Sequence, residues 1–324
     1  MSRGVLWRIG LVCLALAAGF AGPSSADAQA DEAPPAPPAG ARVVPEGWFR
    51  APAPKLPRPA LPEEIETAYV IPIHGVINDA TYEIVRRKVT LCKGRGAKLV
   101  IFDMDTPGGV KAAADDLIQL ILTDLRDVYT VAYVHPNAFS AGAMISLACT
   151  EIVVAPDGKI GAALGFIPGY ELPELVREKF DAASRSQVRA WAKQRGQWPA
   201  VWEAMVSVEV EVWLIRKSAT DELRLVEASD WQALREEEDA KRTRRVAEPP
   251  EPGWEFVKVV DSEEDLLRCE AGEALDLGIA TREIADMDAL KAQYGVAALE
   301  TLGDTWSEKM VAFLSLPLIT TLLL

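Results

Sequence analysis

The chain has 324 residues and carries 48 acidic against 34 basic side chains, a formal net charge of −14. That balance argues against nucleic-acid binding, which needs a clustered basic surface to neutralise phosphates. Its cysteines, Cys13, Cys92, Cys149 and Cys269, show neither zinc spacing nor a disulfide framework.

The first residues, "MSRGVLWRIGLVCLALAAGFAGPSSADAQA", place Arg3 and Arg8 before a thirteen-residue apolar stretch from Ile9 to Ala21, with small residues at Ala26 and Ala28. This is the pattern of a secretory signal over residues 1–28, too short to span a bilayer. Cys13 follows Val12 within a short apolar run, which argues against a lipoprotein site. The expectation is a mature chain outside the cytoplasm, with Cys92, Cys149 and Cys269 able to form one pair at most. Cys149 sits among apolar neighbours and reads as a buried structural thiol. Residues 29–62 are dense in proline and alanine and read as an extended spacer.

The folded part is expected over 63–300. "TAYVIPI" (67–73) reads as a strand, "DATYEIVRRKVTLCKGRG" as a helix ending at Gly94 or Gly96, and "AKLVIFDM" (97–104) as a buried strand. A helix is expected from Val110 to Leu122, with Val110, Ala114, Leu117 and Ile121 on one stripe. The strands "VYTVAYV" (128–134) and "EIVVAP" (151–156) come next. Strand and helix alternating at this spacing predict an α/β fold with a mainly parallel sheet. Residues 174–195 read as a long helix; the charged stretch 206–255 matches no template and reads as a solvated face. "SEEDLLRCEAGEALDLGIA" (262–280) reads as a helix capped by Ser262 with Asp265 and stopped at Gly278.

Residues 301–324 form a membrane-proximal segment. Its last fifteen residues, "MVAFLSLPLITTLLL" from Met310, are apolar. At ~1.5 Å per residue they cover roughly 22 Å of a ~30 Å hydrocarbon core. The run reads as the opening of a transmembrane helix, with a C-terminal core helix as the alternative.

Two loops open at the carboxyl ends of neighbouring strands, where ligand sites collect in parallel sheets: "DTPGG" (105–109) and the stretch around Ser140. Consecutive glycines let backbone N–H groups approach a substrate, and a helix N-terminus favours a developing oxyanion. Separately each has a bland explanation, a Pro-Gly-Gly turn and an N-cap serine. Together, in this order on this topology, they favour a site.

A nucleophilic serine needs a base. His74 and His135 both precede Ser140 and read as loop or edge histidines. Lys179 stands in the middle of the stripe Leu175, Val176, Ala182, Ala183 and Ala190. Burial there would lower an amine from its usual ~10.4, whereas snorkelling would leave the ammonium in water. Lys159, in "APDGKIGAA", is a competing base nearer in sequence.

"YVIPIHGVI", "DMDTPGGV", "FSAGAMISLA", "VVAPDGKIGAA" and "GEALDLGIA" resemble the NfeD type of ClpP-class membrane-bound serine proteases, from about residue 67 to 200 and from 253 onward. The resemblance implies a ClpP/crotonase-like spiral of βα repeats followed by a membrane segment. It implies Ser140 as nucleophile and Lys179 as general base, with Gly108, Gly109 and the Ala141 N–H stabilising the oxyanion. No cofactor is implied. The implied activity is a membrane-tethered, oligomeric endopeptidase facing the periplasm or cell exterior, cutting hydrophobic segments of membrane proteins, stomatin-like partners included. Phe139 stands where a small residue is common in that family, and 206–255 shows no clear match to it. Two other readings stay open. One is a catalytically silent scaffold on the same fold; the other is a crotonase-like acyl-CoA enzyme, disfavoured by the secretory signal.

Overall fold

The computed structural model describes residues 59–163, 173–231, 233–235, 253–262 and 265–306, with 308 and 310. The expected signal, most of the proline-rich spacer and the apolar run beyond residue 310 lie outside the described residues. Among the described residues, no helix is long and apolar enough to cross a membrane.

β1 (Ile65–Ile77), β2 (Leu99–Gly109), β3 (Tyr129–Phe139) and β4 (Glu151–Val154) lie side by side and parallel. Their near-continuous apolar runs follow from burial on both faces, as parallel sheets require. The edges are β10 (Arg282–Glu283) beside β4 and β11 (Val296–Thr301) beside β1, giving the order β10-β4-β3-β2-β1-β11. A short β5 (Lys159–Gly161) continues along the end of β3 and pairs antiparallel with β9 (Arg268–Glu270).

One face is covered by α1 (Asp79–Gly94), α2 (Lys111–Asp124) and α3 (Ala141–Ala148). Val85, Val89, Leu117, Ile118, Ile121 and Ile145 from these helices meet Ile71, Ile73, Phe102 and Met104 from the sheet. Asn78 starts α1 by accepting the Thr81 N–H, while Thr81 Oγ1 accepts the Asn78 N–H. The other face packs Val70, Ile101, Val131 and Tyr133 against Leu290 and Tyr294. There the buried Glu151 carboxylate accepts the hydroxyls of Tyr129, Tyr294 and Thr281, joining the amino ends of the strands to the last part of the domain.

After β5 the chain forms α4 (Glu174–Arg195), α5 (Pro199–Ala204), and a second sheet of β6 (Val212–Lys217), β7 (Glu222–Glu227) and β8 (Trp254–Asp261) in the antiparallel order β7-β6-β8. The stretch that reads as a solvated charged face is therefore partly a sheet. Leu214, Leu223 and Leu225 are buried while Arg224 and Glu222 face water, the alternation of a half-covered hairpin.

The predicted helix over 262–280 is also corrected. Residues 268–270 are β9, drawn into pairing by the free edge of β5, and the helix, α6 (Ala271–Asp276), starts only where the Glu270 N–H donates to the Glu273 carboxylate. α7 (Met287–Gln293) then leads into β11. The predicted strand at 128–134 runs on to Phe139, because its end pairs with β5.

Candidate active site

The site is built on the last residues of β2. Thr106 is wholly buried; its Oγ1 donates to the Gly75 carbonyl at 2.6 Å and accepts the Gly108 N–H at 3.0 Å. This single hydroxyl ties the glycine turn to β1 and engages the Gly108 N–H. Gly109 runs so close to β1 that a Cβ there would stand 2.0 Å from the Ile77 oxygen. Gly108 has φ +104 and faces the other way, where a Cβ would meet Ser140 Cβ at 2.5 Å and Oγ at 2.9 Å. The two glycines thus have distinct tasks: one fits against β1, the other makes room for the serine.

Ser140 has φ 52 and ψ −119, a conformation rare for a residue with a side chain, and its hydroxyl makes no capping bond to α3. The N-cap explanation of this serine therefore does not hold. Such a backbone costs on the order of 1–3 kcal/mol and persists only where the surroundings enforce it. Here they do. The Ser140 N–H donates to the Gly161 oxygen at 3.0 Å, its carbonyl accepts the Ala143 and Met144 N–H groups, and every residue of α3 is buried. Among the described residues the Ala141 N–H has no backbone acceptor.

Ser140 opens onto a small cleft. Ala114, Met144, Val188 and Trp191 make its apolar wall, and Gly109 and Ala141 flank the serine. Lys111 lies at the rim, where its Nζ reaches Asp115 at 2.8 Å and Gln187 at 3.1 Å, bridging α2 to α4. Neither Lys111 nor the wall residues of α4 stand out in the sequence, since their role depends on how α4 is turned.

That turn differs from expectation. Phe180, Ser184, Gln187, Val188 and Trp191 of α4 line the cleft. Lys179 is exposed, together with Val176, Ala182, Ala183 and Ala190, and is not among the cleft residues. The apolar residues of α4 that line the cleft thus lie one residue away from the expected stripe: Val188 is buried and Trp191 half-buried, while Phe180 stays 38% exposed at the mouth. Ser140, Gly108, Gly109 and Ala141 come together; Lys179 stays on the outer face of the adjacent helix.

The other candidate bases stand elsewhere. His74 Nε2 lies 2.9 Å from Asp103, whose hydrogen bond raises the imidazole pKa against an opposing desolvation effect. His135 stacks on Tyr133 with ring centroids 5.5 Å apart, and Lys159 lies 3.6 Å from Glu270. Neither histidine nor Lys159 lines the cleft. Burial pushes the thiols of Cys92, Cys149 and Cys269 up to about 12, far from the thiolate that reactive cysteines need. No group of three or more His, Cys, Asp or Glu among the described residues is placed to hold a metal ion.

A family model described as the NfeD1b N-terminal domain matches residues 67–243. The membrane protein NfeD1b of Bacillus subtilis is 37% identical over 100 residues, which is 31% of this chain and 22% of that protein. The membrane-bound protease PH1510 of Pyrococcus horikoshii is 28% identical over 167 residues, 48% of this chain and 36% of that protein. The chain therefore spans about a fifth to a third of the length of these curated relatives. Among solved structures, the 1510-N membrane-bound stomatin-specific protease matches in a lysine-to-alanine variant complexed with a substrate peptide. The TM-score is 0.52 at 19% identity, covering 77% of this chain and 98% of that one. A serine-to-alanine variant of the same protease gives 0.50, also at 19% identity, covering 74% and 99%. The likeness establishes a shared α/β fold.

Proposed function

Because the chain belongs to the NfeD1b N-terminal domain family, whose model covers residues 67–243, we propose that it is a serine endopeptidase with Ser140 as nucleophile. The observation that carries this reading is the pairing of Ser140 with Gly108. A strained serine whose hydroxyl caps nothing is set against a glycine turn and opens onto an apolar cleft.

Ser140 Oγ attacks the scissile carbonyl of a peptide lying along the glycine turn. The N–H groups of Gly109 and Ala141 hold the resulting oxyanion, whereas Gly108, whose own N–H is donated to Thr106, shapes the floor. Lys179 is the general base: its neutral amine takes the serine proton and returns it to the leaving amine, and water then releases the acyl group. Lys179 stands one residue, about 100° around α4, from the cleft-lining Phe180, so its amine reaches Ser140 only when substrate turns the first turns of α4, ahead of the Arg185 anchor. Catalytic hydrogen bonds often tighten only in the substrate complex.

The apolar wall suits hydrophobic segments, and the 1510-N relative is named for specificity toward stomatin. The substrate class we propose is accordingly hydrophobic stretches of membrane-associated, stomatin-type proteins. In this reading the domain is a homo-oligomer of ClpP-like build, tethered to the membrane on its outer side by the apolar segment from Met310. It uses no cofactor and binds no nucleic acid. The exposed position of Lys179 favours one rival, a catalytically silent scaffold for membrane proteins.

Labelling by a fluorophosphonate probe between about pH 6 and about pH 10 separates the two, since a lysine base acts only when neutral. The dyad predicts labelling that rises with pH and is lost in Ser140→Ala and Lys179→Ala but kept in Lys159→Ala. A folded parent that is never labelled, even with a hydrophobic peptide present, leaves the scaffold.

A further inference from the structure

Helix α4 supplies a wall of the Ser140 cleft, yet Val188 and Ala192 are its only buried hydrophobic residues among those described. So small an apolar seat does not fix the rotation of a 22-residue helix. The cleft stripe (Phe180, Ser184, Val188) and the exposed stripe containing Lys179 are one residue apart. A rotation of about 100° would exchange them.

On a third stripe, Asp181, Arg185 and Arg189 meet the elements behind α4. The Ser207 hydroxyl donates to Asp181 at 2.9 Å. Arg189 donates two bonds to Glu203 of α5, at 2.7 and 2.6 Å, and the Glu203 side chain is 2% exposed. Arg185, one turn earlier, reaches Glu227 at the end of β7 at 2.7 Å and Glu203 at 3.4 Å. A planar guanidinium on a buried carboxylate fixes orientation as well as distance. Contacts one turn apart on the same helix oppose both sliding and rotation.

We propose that Glu203 is a positioning residue for the Ser140 cleft, and that α5 and the β6–β7 hairpin are the buttress that holds the Val188 and Trp191 wall of α4 beside the serine. The inference deepens the peptidase reading and rests on it for its kinetic consequence. Glu203 touches no substrate; it acts through Arg185 and Arg189 on the wall residues one stripe over. The charged stretch that the sequence leaves without a role thereby acquires one, because Glu227 belongs to it.

The test compares Glu203→Gln, Glu227→Gln and Arg189→Lys in the full chain with Glu151→Gln. Glu151 is a buried carboxylate at the far end of the sheet, 5% exposed and bonded by three hydroxyls. Folding is followed by thermal melts, the placement of α4 by amide exchange over residues 180–192, and the site by fluorophosphonate labelling. Well below its melting point, Glu203→Gln is expected to label roughly 10-fold to 100-fold more slowly, the cost of a small misplacement at a reacting centre. Exchange should rise in α4 and stay unchanged in β1–β3. Arg189→Lys, which keeps the charge but loses the fork, should fall between the parent and Glu203→Gln. Glu151→Gln should lower the melting temperature yet label like the parent.

If Glu203→Gln fails to fold, Glu227→Gln and Arg189→Lys carry the comparison. Parent-like labelling and exchange in the folded network variants would overturn the proposal, as would an equal loss of labelling in Glu151→Gln. If the parent itself is never labelled, the peptidase reading fails and exchange alone decides: unchanged protection in α4 then sinks the buttress too, while selective loss there upholds it.

Discussion

A methyl group added to Gly108 would come within 2.5 Å of Ser140 Cβ and 2.9 Å of its Oγ. The serine and the glycine are therefore in direct contact, and φ +104 at Gly108 makes any side chain there strained as well. Gly108→Ala should push the serine out of line and slow its fluorophosphonate labelling by about 100-fold or more. Melts should show a further loss on the order of 1–3 kcal/mol. Parent-like labelling of a folded Gly108→Ala would sever the link between the two residues and the chemistry.

Thr106→Val removes the hydroxyl that joins Gly75 to Gly108 while keeping nearly the same volume. The buried Gly108 N–H then loses its partner, a change worth about 1–3 kcal/mol. Denaturant titration should register that loss, and labelling should slow because the turn is no longer tied to β1. Thr106→Ser keeps the oxygen and should restore most of the labelling.

Trp191 lines the cleft wall, so Trp191→Ala enlarges the space beside Ser140. Relative kcat/KM should move toward peptides with a bulkier apolar residue at the cut, by roughly 10-fold, the scale on which a hydrophobic pocket discriminates. An unaltered preference would place the specificity pocket elsewhere.

Asp261, at the end of β8, keeps Oδ2 buried without a hydrogen-bond partner among the described residues, and burial pushes its carboxyl up to about 6. A raised carboxyl pKa means that the fold disfavours the charged form. Both states are protonated well below the unfolded value of about 4, so there is no penalty there; the penalty grows between about pH 4 and about pH 6 and is complete above that. Asp261→Asn should therefore stabilise the protein near neutral pH by about 1–2 kcal/mol, allowing for partial solvent access, and the gain should vanish near pH 4. Melts of both proteins at the two pH values test the sign directly.

The parallel sheet and the meeting of the glycine turn with Ser140 were legible because both depend on local signals: apolar runs of strand length, and loops that topology sends to the same edge. Two other features were not. The rotation of α4 is decided by Arg185 and Arg189 meeting Glu203 and Glu227, partners 14 to 42 residues away, which no pattern within the helix contains. Counting alanines as the apolar stripe pointed one residue off. The hairpin of β6 and β7 was hidden by its own surface, where Arg216, Lys217, Glu222 and Arg224 cluster around the turn and mask the alternating buried residues. Similarly, β9 needed the free edge of β5 to become a strand; its sequence alone reads as helix.

The chain leaves the main sheet from β11, parallel to β1, where the Leu302 N–H donates to the Val70 oxygen. It is then latched to α1 by the buried Lys88 ammonium on Asp304 at 2.6 Å and by Arg87 on Glu308. A pull applied beyond residue 310 would load this ladder in shear, with the two ion pairs to α1 sharing the load. Ser140 and the glycine turn stand beyond that joint, so tension at the C-terminal end is spread through β11, β1 and α1 before it reaches them. The same joint makes β1, which borders the glycine turn, the member through which a sustained pull would eventually be felt at the site.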